Sequence, residues 1–191
     1  MEKMVKQPLL QKAIEFAAMK HEGYVRKGTT IPYFTHVMEA MEIVSRMTED
    51  EKVRAAAVLH DTLEDTPTTK DELIHFFGRR VASLVAAESE NKRRDRPGNE
   101  TWLERKLETI QSLEKAKTEI RMIALGDKLS NLRAITIDHE KHGEALWKRF
   151  NAPGGRTDIA WYYRGLASAL SDLKDTAPYH EYLTLLAKTF E

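Results

Sequence analysis

Cysteine is absent from the 191 residues, which excludes disulfides and thiolate zinc sites. Any metal must then be held by histidine and carboxylate. An excess of charge of either sign is also absent, since 30 Lys and Arg balance 30 Asp and Glu. No global field draws the chain to nucleic acid or to an anionic membrane, so neither is expected as a partner. Long apolar runs are missing too. No stretch approaches the roughly 18 consecutive apolar residues of a membrane span. Met1 to Leu10 lacks the apolar run and small-residue cleavage site of a leader. The expectation is a soluble cytoplasmic protein; oligomeric state is left open.

What is present is helical periodicity nearly throughout. Leu9, Leu10, Ile14, Ala17 and Ala18 predict a first helix, and His21 to Pro32, with Gly23 and Gly28, reads as a loop. Val37, Met41, Ile43, Val44 and Met47 mark a second helix. Thr48-Glu49-Asp50-Glu51 reads as a cap for a third, which runs through Val53, Ala56, Leu59 and Leu63 until Pro67. Thr69 to Ala87 reads as a helix or helix pair broken at Gly78. Asn91 to Asn99 is a basic loop. Further helices follow over Trp102 to Lys115, Thr118 to Ile137, from near Thr157, and from Tyr179 to Phe190. Strand alternation is weak, and there is no repeat, low-complexity segment or linker. The fold class is all-α, one domain over residues 1–191 with about eight to ten helices.

Chemistry concentrates at His36, His60-Asp61 and Asp127. Imidazole plus carboxylate suits a divalent first-row metal. His60-Asp61 ends the run Ala55-Ala56-Ala57-Val58-Leu59, so apolar that its helix must be buried, and buried polar groups without partners are costly. Asp127 follows Ile123-Ala124-Leu125-Gly126, where the glycine permits close helix approach. Taken singly, each residue also suits a satisfied core histidine or a helix-end carboxylate, and spacing alone leaves the two readings level. Glu64 and Asp65 come four residues after His60 and Asp61. In a continuous helix they would stand one turn above them on the same face. Acid at a helix C-terminus opposes the macrodipole, a small cost that hints at a role in handling protons.

Three motifs then carry a resemblance. Ala17 to Gly28 with Ile31-Pro32-Tyr33-Phe34-Thr35-His36 is similar to the opening motif of RelA/SpoT-type hydrolase domains. Ala56 to Thr66 resembles their His-Asp motif with its following Glu-Asp. Ala124 to Arg133 resembles the motif carrying the last metal ligand. The likeness runs over about residues 10 to 175. It implies a helical HD-type domain binding one Mn²⁺ through His36, His60, Asp61 and Asp127. It implies Glu64 and Asp65 as the catalytic pair, and Arg26, Lys27, Asn131 and Tyr162 as substrate contacts. The implied activity is that of a stand-alone small alarmone hydrolase, removing the 3′-pyrophosphate from (p)ppGpp. The segment Asn91 to Arg105 departs from the long enzymes, and Val37 stands where the family usually has proline. Two alternatives therefore stay open: an HD phosphohydrolase of another nucleotide such as (p)ppApp or NADPH, and a non-catalytic nucleotide-binding HD domain. Lys92, Arg93, Arg94 and Arg96, then Arg105 and Lys106, form further basic clusters, either solvated or available to phosphate. Trp102 and Trp161 read as core.

Overall fold

The computed structural model describes residues 8–191; the leader expectation for residues 1–7 lies outside the described residues. Nine α-helices and two 3-10 turns make up the described fold. They are α1 (Leu9–Lys20), α2 (Phe34–Ser45), α3 (Glu51–Leu59), α4 (Thr62–Asp65), α5 (Lys70–Glu88), α6 (Gly98–Lys115), α7 (Thr118–His142), α8 (Arg156–Ala169) and α9 (Ala177–Phe190), with 3-10 turns at Gly143–Arg149 and Ser171–Leu173. Among the described residues no strand forms; Val25 and Pro32 make an isolated antiparallel bridge. No described helix is long and apolar enough to cross a membrane.

The arrangement follows from α7. From Ile123 to Leu132 it is buried on nearly every side, as a helix apolar all round must be. Ile123 joins an apolar core with α1, α2, α3 and α5, while Ala124, Leu125, Leu129 and Leu132 join a second core with α6, α8 and α9. The helix is the wall between two cores, and the polar residues of the site lie along that wall. Gly126 makes the seam possible. A Cβ there would stand 2.7 Å from the Ala40 carbonyl oxygen and 2.7 Å from Val44 Cγ2, so only glycine lets α2 and α7 come this close.

The anticipated break at Gly78 is present as a kink with φ 84° and ψ 165°, a conformation that costs glycine little and other residues much. Three expectations need correction. The third helix does not run through to Leu63. It ends at Leu59, and a separate four-residue turn begins at Thr62. The Thr62 hydroxyl takes the Leu59 carbonyl at 2.7 Å, and Asp61 relaxes to ψ −3°. Nor is the cap of α3 at Thr48. Asp50, in extended backbone, accepts from the Lys52 amide at 2.9 Å, and Thr48 accepts from the Asp50 amide. Trp102 is buried as expected, whereas Trp161 is 39% exposed and is not core.

Candidate metal centre

Three helices deliver the ligand-bearing side chains to one point. His36 comes from the first turn of α2, His60 and Asp61 from the break between α3 and α4, and Asp127 from the middle of α7. His36, His60 and Asp127 are all buried, and their donor atoms lie within 4.8 Å of one another. His36 Nε2 is 3.2 Å from Asp127 Oδ1 and 3.5 Å from Asp61 Oδ2. His60 Nε2 is 3.0 Å from Asp61 Oδ2 and 3.7 Å from Asp127 Oδ1. Two nitrogen or oxygen ligands each about 2.1 Å from a shared metal stand about 3.0–3.4 Å apart at octahedral or tetrahedral angles. The observed spacings bracket that range. The positions of His36, His60 and Asp127 suit a first-row divalent ion without rearrangement of the helices, and Asp61 Oδ2 stands beside both histidine nitrogens.

The hydrogen bonds behind these atoms support the fit. His60 Nδ1 faces the Ala57 carbonyl at 2.8 Å, and a carbonyl can only accept, so the proton sits on Nδ1. Nε2 is then the nitrogen left to face a metal, buried and without a hydrogen-bond partner among the described residues. Asp61 Oδ2 accepts from the Tyr33 hydroxyl at 2.6 Å. Asp127 Oδ2 is held by Lys128, and Asn131 donates to Asp127 Oδ1 from one turn along α7. Such outer partners fix orientation and strengthen a ligand.

The charge balance points the same way. Burial disfavours the charged His60, yet the carboxylates of Asp61 and Asp127 outweigh it and hold its pKa well up. Burial likewise opposes ionisation of Asp61 and Asp127, but His60 and His36 beside Asp61, and Lys128 and the same histidines beside Asp127, keep both pKa values well down. The pocket is built to hold cationic charge among ionised carboxylates.

Beside this point opens a cleft of about 780 Å³. It is lined by His36 and by the four residues anticipated as substrate contacts: Arg26, Lys27, Asn131 and Tyr162. Arg26 Nη2 donates to Asn131 Oδ1 at 3.0 Å, which ties the loop before α2 to α7 next to the metal position. Tyr162 is buried, its hydroxyl has no partner among the described residues, and Lys106 Nζ lies 5.0 Å over its ring.

The acidic pair sits differently from the stacked face anticipated in the sequence. Because the helix is interrupted at His60-Asp61, Glu64 and Asp65 occupy the short turn α4. Glu64 lines a separate cavity of about 370 Å³ and accepts from the Glu90 amide. Lys92 bridges the pair, contacting Asp65 and standing 3.1 Å from Glu64. Burial raises the Glu64 pKa against the pull of these donors. The basic residues are thus engaged within the chain: Arg93 with Glu104 and Glu108, Arg94 with the Glu64 backbone carbonyl and, from α6, Arg105 and Lys106 with Glu90.

Several residues near the centre were given no role from the sequence, although Tyr33, Lys128 and Ser130 lie inside the quoted motifs. Tyr33, Glu39, Ser130 and Lys128 contact the ligands or their partners. Glu88, at the end of α5, feels Lys128, Asp127 and His60, and burial lifts its pKa to about 7.

The comparison with known proteins agrees with the motifs. A family model described as HD domain matches residues 13–152. The chain belongs to the HD-domain family. Among curated relatives of this HD domain, the guanosine-3′,5′-bis(diphosphate) 3′-pyrophosphohydrolase MESH1 of Drosophila melanogaster is 33% identical over 128 residues, covering 65% of this chain and 68% of that protein. A GTP pyrophosphokinase rsh of Brucella ovis is 31% identical over 136 residues, covering 71% of this chain and 18% of that one. A guanosine-3′,5′-bis(diphosphate) 3′-pyrophosphohydrolase of Aquifex aeolicus is 31% identical, with 73% of this chain and 19% of that one covered. The matched part therefore spans about a fifth of those two bacterial proteins. In three dimensions the chain superposes on a structure described as a metazoan orthologue of SpoT that hydrolyses ppGpp, with TM-score 0.76, 25% identity and 96% of each chain covered. The resemblance to SpoT-type hydrolase domains is borne out.

Proposed function

We propose that this HD domain is a Mn²⁺-dependent hydrolase that removes the 3′-pyrophosphate from guanosine bis-diphosphate alarmones, turning ppGpp into GDP and pppGpp into GTP. The observation that carries the reading is the convergence of donor atoms from His36, His60 and Asp127, with Asp61 beside the two histidines, at the edge of a cleft walled by Arg26, Lys27 and Asn131. The likeness to MESH1 and to the SpoT orthologue supports the substrate.

A bound divalent ion would supply Lewis acidity at the 3′-phosphate and make water a stronger acid. The chain's own residues do the rest. Arg26 and Lys27 meet the phosphates, Arg through paired N–H donors and Lys as a point charge. Asn131, already fixed by Arg26 and Asp127, turns a polar edge to the cleft. Water adds to phosphorus, the bond from phosphorus to O3′ breaks, and O3′ ends with a proton. Glu64 and Asp65 take the proton from water and return one to O3′. The raised pKa of Glu64 suits a group that must hold a proton for part of the cycle.

The test is purified protein with Mn²⁺ and ppGpp, with ppApp and NADPH as competitors. GDP and pyrophosphate should appear from ppGpp at the highest kcat/KM. Faster turnover of NADPH or ppApp would transfer the assignment to that nucleotide. Binding by calorimetry with no product from any of them would leave a nucleotide-binding domain without catalysis.

A further inference from the structure

We propose that Glu39 is a positioning residue for the metal centre: acting through Ser130, it locks His36 in the tautomer that leaves Nε2 free for the metal. The inference rests on the metal reading above but not on the identity of the substrate.

The two metal-facing histidines are oriented in different ways. His60 uses a carbonyl of its own helix, Ala57. His36 uses a side chain instead. Its Nδ1 lies 2.8 Å from Ser130 Oγ, and a hydroxyl can give or take a proton, so this contact alone does not fix the tautomer. The next link does. Ser130 Oγ donates to Glu39 Oε2 at 2.6 Å, and a carboxylate can only accept. The single hydroxyl proton of Ser130 is committed to Glu39, so Ser130 must accept from His36, and His36 Nδ1 must carry the proton. Nε2 is left as a lone pair, 3.2 Å from Asp127 Oδ1. A partner with carboxylate character behind Nδ1 also makes Nε2 more basic and a stronger ligand.

Glu39 is itself held. Arg133 Nη1 donates to Glu39 Oε1 at 2.8 Å, while Arg133 Nε and Nη2 grip Glu181 of α9 at 2.6 and 2.7 Å. An arginine has donors only, so the oxygen of residue 39 that faces Arg133 must be an acceptor. The path Glu181, Arg133, Glu39, Ser130, His36 thus runs from α9 to the metal through groups whose donor and acceptor roles are all forced.

This forcing makes Glu39→Gln an inverting substitution. The amide oxygen must face Arg133, so the amide nitrogen faces Ser130 and donates to it. The Ser130 hydroxyl then turns to donate to His36 Nδ1, and the imidazole proton moves to Nε2, where it opposes the metal. Glu39→Ala removes the bias without reversing it. Ser130→Thr keeps the hydroxyl and Ser130→Ala removes it.

Two readouts decide the matter. In the metal-free protein, long-range ¹H–¹⁵N correlation should show His36 as the Nδ1–H tautomer in the parent and Ser130→Thr, and increasingly as Nε2–H in Glu39→Gln. Calorimetric titration with Mn²⁺ alone should give a dissociation constant weakened about 10–100-fold in Glu39→Gln and Ser130→Ala. Ser130→Thr should stay near the parent, which a general packing defect at Ser130 would not allow. A parent holding His36 as Nε2–H, or Mn²⁺ affinity unchanged in Glu39→Gln, would overturn the role of Glu39 while leaving the metal centre standing. A parent that takes up no Mn²⁺ would instead sink the metal reading itself, and the relay's role with it.

Discussion

Gly126→Ala adds one methyl group at the tightest point of the fold, and its consequences reach the metal centre. The new Cβ would meet the Ala40 carbonyl oxygen and Val44 Cγ2, each at 2.7 Å. Ordinary contacts are about 3.3–3.6 Å or longer, so α2 and α7 must part by roughly 0.6–0.9 Å there. Overpacking of this kind costs about 1–3 kcal/mol. Alanine in place of glycine inside the 25-residue α7 returns about 1 kcal/mol of helix propensity. The net loss is about 0–2 kcal/mol, a fall of up to roughly 8 °C in Tm for a domain of this size. The metal should suffer more than the fold. Asp127 adjoins the added methyl, and His36 lies one turn before Ala40 on the opposing helix. Their donor atoms, 3.2 Å apart, separate with the helices, and the ion cannot span the gap at its preferred distances. Mn²⁺ affinity should drop at least about tenfold, so the rise in Tm that Mn²⁺ gives the parent should shrink sharply in the variant. Scanning calorimetry with Mn²⁺ and with chelator, together with Mn²⁺ titration, separates the two effects. An affinity within a factor of two or three of the parent would refute the argument that this helix spacing sets the site.

Four other outcomes follow from the same geometry. His60→Ala or Asp127→Ala should lose metal and activity together by elemental analysis and assay; Asp127→Ala should also be the less stable of the two, because half-buried Lys128 loses its carboxylate partner. Arg26→Ala should raise KM about 10–100-fold, the loss of one charge-assisted phosphate contact, with metal content intact; an unchanged KM would remove Arg26 from the substrate contacts. Glu64→Gln with Asp65→Asn should keep fold, metal and nucleotide binding while turnover falls about 10²–10⁴-fold, and turnover within a few-fold of the parent would send the search for the base elsewhere. The Glu88 carboxyl is lifted from 4.5 to about 7 by burial, so in the metal-free protein the folded state holds a proton that the unfolded state has released; stability should therefore fall as pH rises from about 5 to 7, and Glu88→Gln should flatten that slope in chemical denaturation.

The candidate ligands stood out in the sequence because their surroundings are so apolar. Ala55 to Leu59 and Ile123 to Leu125 announce burial, and a charged residue following such a run stands out. Gly126 and Gly78 were legible for a related reason, since each is a glycine where a helix would prefer something else. The break at His60-Asp61 was not. Both residues keep right-handed backbone angles, no glycine or proline marks the spot, and the element that ends α3 is one hydroxyl of Thr62 turned onto Leu59. That small event displaces the acidic pair from the stacked position a continuous helix would give it.

The partners behind the ligands were hidden for another reason. Ser130 and Glu39 are 91 residues apart, Arg133 and Glu39 94, and Lys92 lies 27 residues beyond Asp65. No local periodicity links such pairs; packing of α2 against α7 brings the first two together, and the fold of the basic loop brings the third. Yet these partners decide what the centre can do. Each histidine has its Nδ1 occupied by the protein, and Asp127 has Oδ2 occupied by Lys128, so both Nε2 atoms and the Asp127 Oδ1 atom face one another across the pocket. A cluster of core histidines satisfying themselves would use both ring nitrogens on protein partners. Here His60 Nε2 is left buried and without a hydrogen-bond partner among the described residues, facing two carboxylates, and a divalent cation is the chemistry that completes it.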